Sequence, residues 1–345
     1  MTLEQLRALV RDNVLQLSPY SSARDEFEGT ASVYLDANEN PFNTGFNRYP
    51  DPHQKAIKAK LSTLKNIATN QIFLGNGSDE AIDLLIRVFC QPTVHRVLIP
   101  QPTYGMYKVS ADINEVTVNT MTLTPTFDLD AELVLKNVDS QTRIIFLCSP
   151  NNPSGNLLSA GSIEQVARTF QGIVVVDEAY IDFAGSPSWV SRLREFNNLV
   201  VLQTFSKAWG LASLRLGMAF AHPFVIEMMN KIKPPYNING YTQQQALRAL
   251  DDAPQTQQWV NGIVEERKRL AQQLNQLSIV EYVYPSDANF LLVKTTDARK
   301  QYDELLARGI VVRDRSNVKL CENCLRITVG TRQENSLLIE ALQSL

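Results

Sequence analysis

Short apolar or β-branched runs recur along the first two thirds of the chain, and each stops abruptly in small, polar residues. The runs are Ile72 to Leu74, Val97 to Ile99, Ile144 to Leu147, Ile173 to Val176 and Leu199 to Leu202. They are nearly continuous in apolar residues, which marks strands buried on both faces. Stretches with helical spacing, Asp79 to Phe89 and Ser162 to Phe170, lie between several of them. The alternation predicts a large α/β domain with a mostly parallel central sheet flanked by helices.

After Pro234 and Pro235 the texture changes. A long helical stretch, Thr256 to Leu277, precedes strands at Val280 to Tyr284 and Phe290 to Lys294, a helix at Ala298 to Arg308, and strands at Ile310 to Arg313 and Leu325 to Val329. This order predicts a smaller α+β domain. The expected division is an N-terminal segment over 1–40 that packs with the small domain, a large domain over 41–250, and a small C-terminal domain over 251–345. Met1 to Leu17, with Glu4, Arg7, Arg11 and Asp12 among its leucines, is expected to form an amphipathic helix and not an export signal.

Length and composition agree with this division. At 345 residues the chain exceeds the roughly 250 to 300 residues at which single cores stop growing. A hydrophobic fraction of 44% and a charged fraction of 20% suit a globular, water-soluble chain. With 33 basic and 36 acidic residues, the net charge of -3 supplies no field for wrapping nucleic acid. No apolar run approaches the ~18 residues that span a bilayer, so no membrane role and a cytoplasmic location are expected. Of the four cysteines, Cys321 and Cys324 form a CxxC pair, but no second pair or histidine cluster completes a zinc site. Ordinary reduced thiols and no bound metal are expected.

The residues that can carry chemistry stand immediately after the apolar runs: GNGSDE, PQPTYG, CSPNNPSG, DEAY and QTFSKAWG. In open α/β sheets, ligands bind beyond the carboxyl ends of the strands, so these five clusters should converge. Lys207 lies just past a strand, among Phe205, Trp209 and Leu211, with Arg215 eight residues on. Desolvation and a neighbouring cation both lower an amine's pKa, which a lysine needs before it can attack an aldehyde. Gly77, Ser78 and Asp79 open a predicted helix and serve equally as a helix cap or as a phosphate cradle, to which Ser206 and Arg215 would add a hydroxyl and a guanidinium. Glu80 stands where a dinucleotide fingerprint needs Gly or Ala, which disfavours NAD. Asp177 ends its strand without an evident partner; a helix cap, a metal and a protonated pyridine nitrogen are all open to it. Tyr180 and Asn152 are placed to reach a ring oxygen, and Tyr104 offers an aromatic face.

Taken in order, these segments resemble the histidinol-phosphate aminotransferases, within the fold type I pyridoxal-phosphate enzymes. The likeness runs from LDANENP (Leu35 to Pro41) and RYPD (Arg48 to Asp51) through GNGSDE, PTY, SPNNPSG, VDEAY and TFSKAWGLASLRLG to SDANF, GIVVRD and LRITVGT. Only Ser154 departs, where the family often has Thr. The resemblance implies pyridoxal 5'-phosphate held by Lys207 as a Schiff base, with Lys207 also the proton carrier. Asp177 would be the pyridinium partner, Asn152 and Tyr180 the ring-oxygen contacts, and Tyr104 the stacking ring. Gly77, Ser78, Asp79, Thr204, Ser206 and Arg215 would line the cofactor's phosphate end. Tyr49 would reach the cofactor of a neighbouring subunit, which implies a homodimer with shared active sites. Tyr20, Arg313 and Arg326, with Asn152, would select substrate.

The implied reaction converts L-histidinol phosphate and 2-oxoglutarate to imidazole acetol phosphate and L-glutamate. A broader aromatic aminotransferase and a threonine-phosphate decarboxylase share the cofactor motifs and are the alternatives within this fold. A non-catalytic binding protein on the same fold is the alternative from another class.

Overall fold

The structure is a computed structural model that describes residues 1–21, 29 and 31–344. Its centre is a seven-stranded sheet built from β1 (Ile72–Asn76), β2 (Arg96–Gln101), β3 (Thr117–Thr122), β4 (Thr142–Cys148), β5 (Ile173–Asp177), β6 (Leu199–Thr204) and β7 (Leu216–Ala221). The strand order is β1-β7-β6-β5-β4-β2-β3, and β7 alone runs antiparallel to its neighbours. Every residue of β5, β6 and β7 is buried. The side chains of these strands point alternately into two apolar layers. One holds Leu74, Leu147, Val176 and Val201. The other holds Phe73, Phe146, Val175 and Val200.

All five expected strands of the large sheet form, and two more join them. The edge strand β3 reads TVNTMT, with one residue of six buried, so it lacks the apolar run of a central strand. β7 comes directly after the Lys207 segment, and its small residues Gly217, Ala219 and Ala221 hide it among turn-like sequence. Gly217 is required there: a Cβ on it would lie 2.2 Å from the Ser78 amide nitrogen. A larger residue would push the helix Gly77–Phe89 off the sheet.

A second, antiparallel sheet has the order β10-β11-β9-β8, from β8 (Val280–Val283), β9 (Phe290–Thr295), β10 (Arg313–Asp314) and β11 (Cys324–Thr328). The run from Ile310 yields only the two-residue β10. Helices Ala298–Ala307 and Arg332–Gln343 and the end of the 22-residue helix Ala253–Leu274 cover one face. The other face turns Phe290, Leu292, Cys321 and Cys324 toward the core of the large sheet. The long helix joins the two cores, with Val260 in the first and Leu270 and Leu274 in the second. Both cysteines are free, and burial pushes each thiol up to about 12, which keeps them protonated.

The start of the N-terminal segment corrects an expectation; residues 22–28 and 30 of that segment lie outside the described residues. Its helices Leu3–Arg7 and Asp12–Gln16 pack on the large sheet's helices, not on the small domain. The break falls at Val10 and Arg11, where the Arg11 amide donates to the Val88 carbonyl at 3.0 Å. Leu6, Val10 and Val14 bury their side chains in the layer that holds Val88, Val225 and Met229. Full burial of a Val or Leu side chain stabilises by roughly 1.5 to 3 kcal/mol, and that layer is where matching apolar surface lies. Among the described residues no helix is long and apolar enough to cross a membrane.

Candidate active site

The carboxyl ends of β1, β2, β4, β5 and β6 meet at one cleft. Its lining includes Gly77, Ser78, Asp79, Tyr104, Asn152, Asp177, Tyr180, Thr204, Ser206, Lys207 and Arg215. Five sequence-distant clusters thus reach one place because parallel strands all end on the same edge. Cys148 and Ala179 also line it. Among the described residues, no group of three or more His, Cys, Asp or Glu side chains is arranged to hold a metal ion.

One end of the cleft is the start of the helix Gly77–Phe89. Asn76 precedes it and makes no side-chain cap, so the first amides of the helix face the cleft unclaimed by a capping side chain. Gly77 adopts a left-handed φ of 71°, and a Cβ there would lie 2.8 Å from an Arg215 Nη. Arg215 is itself left-handed at φ 52°; its carbonyl accepts from the Gly77 amide at 2.7 Å. The Arg215 guanidinium pairs with Asp79 at 3.2 Å, and the Tyr104 hydroxyl donates to the other Asp79 oxygen at 3.0 Å. Thr204 uses its hydroxyl internally: it accepts from the Ser206 amide at 3.0 Å and donates to the Leu216 carbonyl at 3.3 Å. That pair shapes the turn carrying Ser206 and Lys207.

Asp177 forms the floor, only 3% exposed at the end of β5. The Tyr107 hydroxyl donates to its Oδ2 at 2.6 Å and the Ala179 amide to its Oδ1 at 3.1 Å. Burial nevertheless pushes the carboxyl up to about 6, against the pull of those two donors. Tyr107 is absent from the sequence-derived site. The signal for it was its place three residues after Tyr104, on an apolar helix face where a buried phenol must find a partner. It stacks on Phe146 with ring centroids 4.8 Å apart. The neighbouring Glu178 points away from the cleft and is held by Ser188, the Trp189 amide and Gln203.

Lys207 stands in the open part of the cleft, in contact with solvent yet with enough protein around it to weaken its hydration. Desolvation lowers its pKa first, then the charges of Arg326 and Arg215; Asp177 and Asp79 oppose the shift. Its Nζ lies 5.6 Å from the centre of the Tyr180 ring.

The second sheet supplies the facing wall. Arg326 of β11 donates to the Asn152 Oδ1 at 2.5 Å and lies over Phe290 at 5.4 Å. Arg313 of β10 is its cross-strand partner. Tyr20 and Tyr49 are not brought to this cleft within the chain. Tyr20 is 75% exposed, in a separate groove beside Pro52 and Lys233. Tyr49 stacks on Tyr236 with centroids 4.4 Å apart and lines a further groove with Phe46 and Tyr241.

Comparison with known proteins bears on the family and the fold. The family model for aminotransferase class I and II matches residues 24–342. A Parabacteroides distasonis protein named histidinol-phosphate aminotransferase is 54% identical over 343 residues, which cover 99% of each chain. A Bacteroides thetaiotaomicron protein of the same name is 51% identical over 342 residues, again 99% of each. Among solved structures, the Sinorhizobium meliloti histidinol-phosphate aminotransferase in complex with pyridoxal-5'-phosphate superposes with a TM-score of 0.80 at 24% identity, over 86% of this chain and 82% of that one. An L-threonine-O-3-phosphate decarboxylase from Porphyromonas gingivalis reaches 0.73 at 24% identity, over 86% of this chain and 90% of that one, so the fold alone does not separate the two chemistries. The expected fold type I architecture is present, and the chain belongs to the aminotransferase class I and II family, among the histidinol-phosphate aminotransferases.

Proposed function

We propose that the chain is a pyridoxal-phosphate aminotransferase that converts L-histidinol phosphate and 2-oxoglutarate to imidazole acetol phosphate and L-glutamate, a step of histidine biosynthesis. The observation that carries this reading is that Lys207 and the buried Asp177 line one cleft whose far end is an uncapped helix start beside an arginine. The names of the relatives at 54% and 51% identity support the substrate.

The residues present fit the cofactor. A phosphate suits the amides of Ser78 and Asp79, the Ser206 hydroxyl and the Arg215 guanidinium, and the left-handed Gly77 keeps that approach clear. Asp177 is a buried carboxylate with two hydrogen-bond donors and, among the described residues, no salt-bridge partner; a protonated pyridine nitrogen completes it. Tyr104 offers its ring to the cofactor's face, and Asn152 and Tyr180 its oxygen contacts. When bound, pyridoxal phosphate supplies a carbonyl that condenses with amines and a ring that accepts electrons from the substrate's Cα.

The remaining chemistry belongs to the chain. Lys207, with its pKa lowered, is an amine that holds the cofactor and, when released, takes the proton from the substrate's Cα. Asp177 as a carboxylate keeps the ring nitrogen protonated. Arg313 and Arg326 orient the anionic end of each substrate, the phosphate of one and a carboxylate of the other. The enzyme acts as a cytoplasmic homodimer in which Tyr49 reaches the cofactor phosphate of the neighbouring copy, and Tyr20 takes part in substrate selection. The exposed Phe42, Phe46, Tyr49 and Tyr241 favour such an interface, since aromatic side chains exposed at 77%, 76%, 51% and 52% form an apolar surface suited to burial against a second chain.

Steady-state turnover of L-histidinol phosphate is tested beside phenylalanine, tyrosine and threonine phosphate. Preference for L-histidinol phosphate supports the assignment, and its failure as a substrate sinks it.

A further inference from the structure

Beside β10 lies a third guanidinium that no role above uses. Arg315 stands two residues after Arg313, anchored by its own amide, which donates to the Cys324 carbonyl at 2.8 Å. Its side chain is half-buried, and its Nε is shielded from solvent with no hydrogen-bond partner. Asp314, the adjacent acid, spends its Oδ1 on the Ser316 amide at 2.8 Å and the Ser316 hydroxyl at 2.6 Å. Among the described residues neither Arg315 nor Arg326 has an acidic side chain within ion-pair distance.

The three arginines act on one another. Desolvation, then Arg315 and more weakly Arg313, lower the pKa of Arg326 against Tyr180; desolvation and then Arg313 lower that of Arg315 against Cys321, Tyr180 and Asp314. Arg326 in turn lowers the pKa of Lys207. Among the described residues Asp314 is the one carboxylate whose charge acts on Arg315, and it is engaged by Ser316. One carboxylate does not balance three guanidiniums in partly desolvated surroundings, so an arriving anion completes the cluster. One fork-shaped guanidinium matches one carboxylate. The cluster exceeds what a monoanionic carboxylate requires. A dianion gains twice as much as a monoanion from each added unit charge at a given distance.

We infer that Arg315 is a specificity-determining residue that favours the phosphate-bearing amino donor over glutamate at the anion site shared by both. The inference rests on the substrate assignment above. It deepens that assignment by separating the residues that serve both substrates, Arg313 and Arg326, from one that serves the dianion.

The test uses the holoenzyme, in which the cofactor's own phosphate fills the helix-start site. Each amino donor is followed in its separate half-reaction through the cofactor's absorbance, in the unaltered chain, Arg315→Gln and Arg315→Lys. With Arg315→Gln, kcat/KM for L-histidinol phosphate is expected to fall roughly 10- to 100-fold. The fall for glutamate is expected to be about tenfold smaller, with part of the selectivity restored in Arg315→Lys. Calorimetric binding of inorganic phosphate should weaken in parallel. Equal losses for the two donors, or no loss for either, overturn the assignment. Should the unaltered chain fail to turn over L-histidinol phosphate, the proposed function falls by itself. Phosphate binding then separates the two failures: weakened in Arg315→Gln, it keeps Arg315 in a dianion site and overturns only the named donor, and unchanged, it overturns the role of Arg315 as well.

Discussion

The wall of the cleft made by the ends of β1, β2, β4, β5 and β6 and the wall made by β10 and β11 treat charge in opposite ways. On the first, each acid is already engaged: Asp177 by Tyr107 and Ala179, Asp79 by Tyr104 and Arg215. On the second, Arg326 has Asn152 as its hydrogen-bond acceptor, and the Nε of Arg315 has none. A resident group can be met by a fixed, hydrogen-bonded wall, because it need never leave. Two substrates that alternate need a wall whose charge is left open to whichever anion arrives.

The largest expected effect removes the one group that serves both walls. Lys207→Ala should lower turnover by at least about 10⁴-fold and abolish the cofactor's visible absorption band as formed with the chain. Retention of an unchanged band would remove Lys207 from its place. Asp177→Asn comes next, with effects of opposite sign on activity and stability. Turnover should fall on the order of 10²- to 10³-fold, since a buried charge partner is lost. The cofactor-free chain should gain stability at pH 8. Linkage sets the sign: burial raises the Asp177 pKa from 3.8 to about 6, so its ionisation above that range opposes folding. The gain is on the order of 1 to 3 kcal/mol and vanishes below about pH 4. Thermal unfolding at pH 4 and pH 8 reads it directly; a loss of stability at both would mean that Asp177 is held by more than its two donors.

Breaking the open wall should cost less. Arg326→Met is expected to lower kcat/KM for both L-histidinol phosphate and glutamate by roughly 10- to 100-fold while the cofactor stays bound. Cofactor release on this substitution would merge the two walls into one, which titration of the chromophore detects.

The first wall was far more legible in the sequence than the second. Parallel strands buried on both faces read as continuous apolar runs, and the residues just past their ends must lie on one edge, so Gly77, Asn152, Asp177 and Lys207 could be brought together from order alone. Arg313 and Arg326 entered through family resemblance, because nothing in a two-residue strand announces that it pairs with β11. Arg315 carries a signal in the sequence: it stands two residues after Arg313, the spacing that keeps side chains on one side of an extended chain. The two tyrosines outside the cleft, Tyr20 and Tyr49, sit on exposed segments, and within the chain Tyr49 stacks on Tyr236, so neither strand order nor chain packing leads them to the cleft. For the helices before Leu17 the sequence is silent on the partner, because an apolar stripe states that a face is buried and not against what.

The smallest expected effect probes how tightly the first wall is set. Tyr107 donates one of the two hydrogen bonds to Asp177 and is wholly buried between that carboxylate and Phe146. Tyr107→Phe keeps the ring and removes the donor, so the ionised form of Asp177 loses support while the protonated form loses little. In the cofactor-free chain the Asp177 pKa should move above about 6. Stability relative to the unaltered chain should then be least changed at pH 4 and fall by about 1 to 2 kcal/mol at pH 8, where the carboxylate must stay charged. In the holoenzyme the ring nitrogen proposed as the partner of Asp177 would support the charge more strongly, and the difference between the chains should shrink. Unfolding measured at both pH values, with and without cofactor, gives four numbers. A penalty equal in all four would assign Tyr107 to packing alone, and a penalty confined to the cofactor-free chain at high pH would assign it to holding the charge that the cofactor later shares.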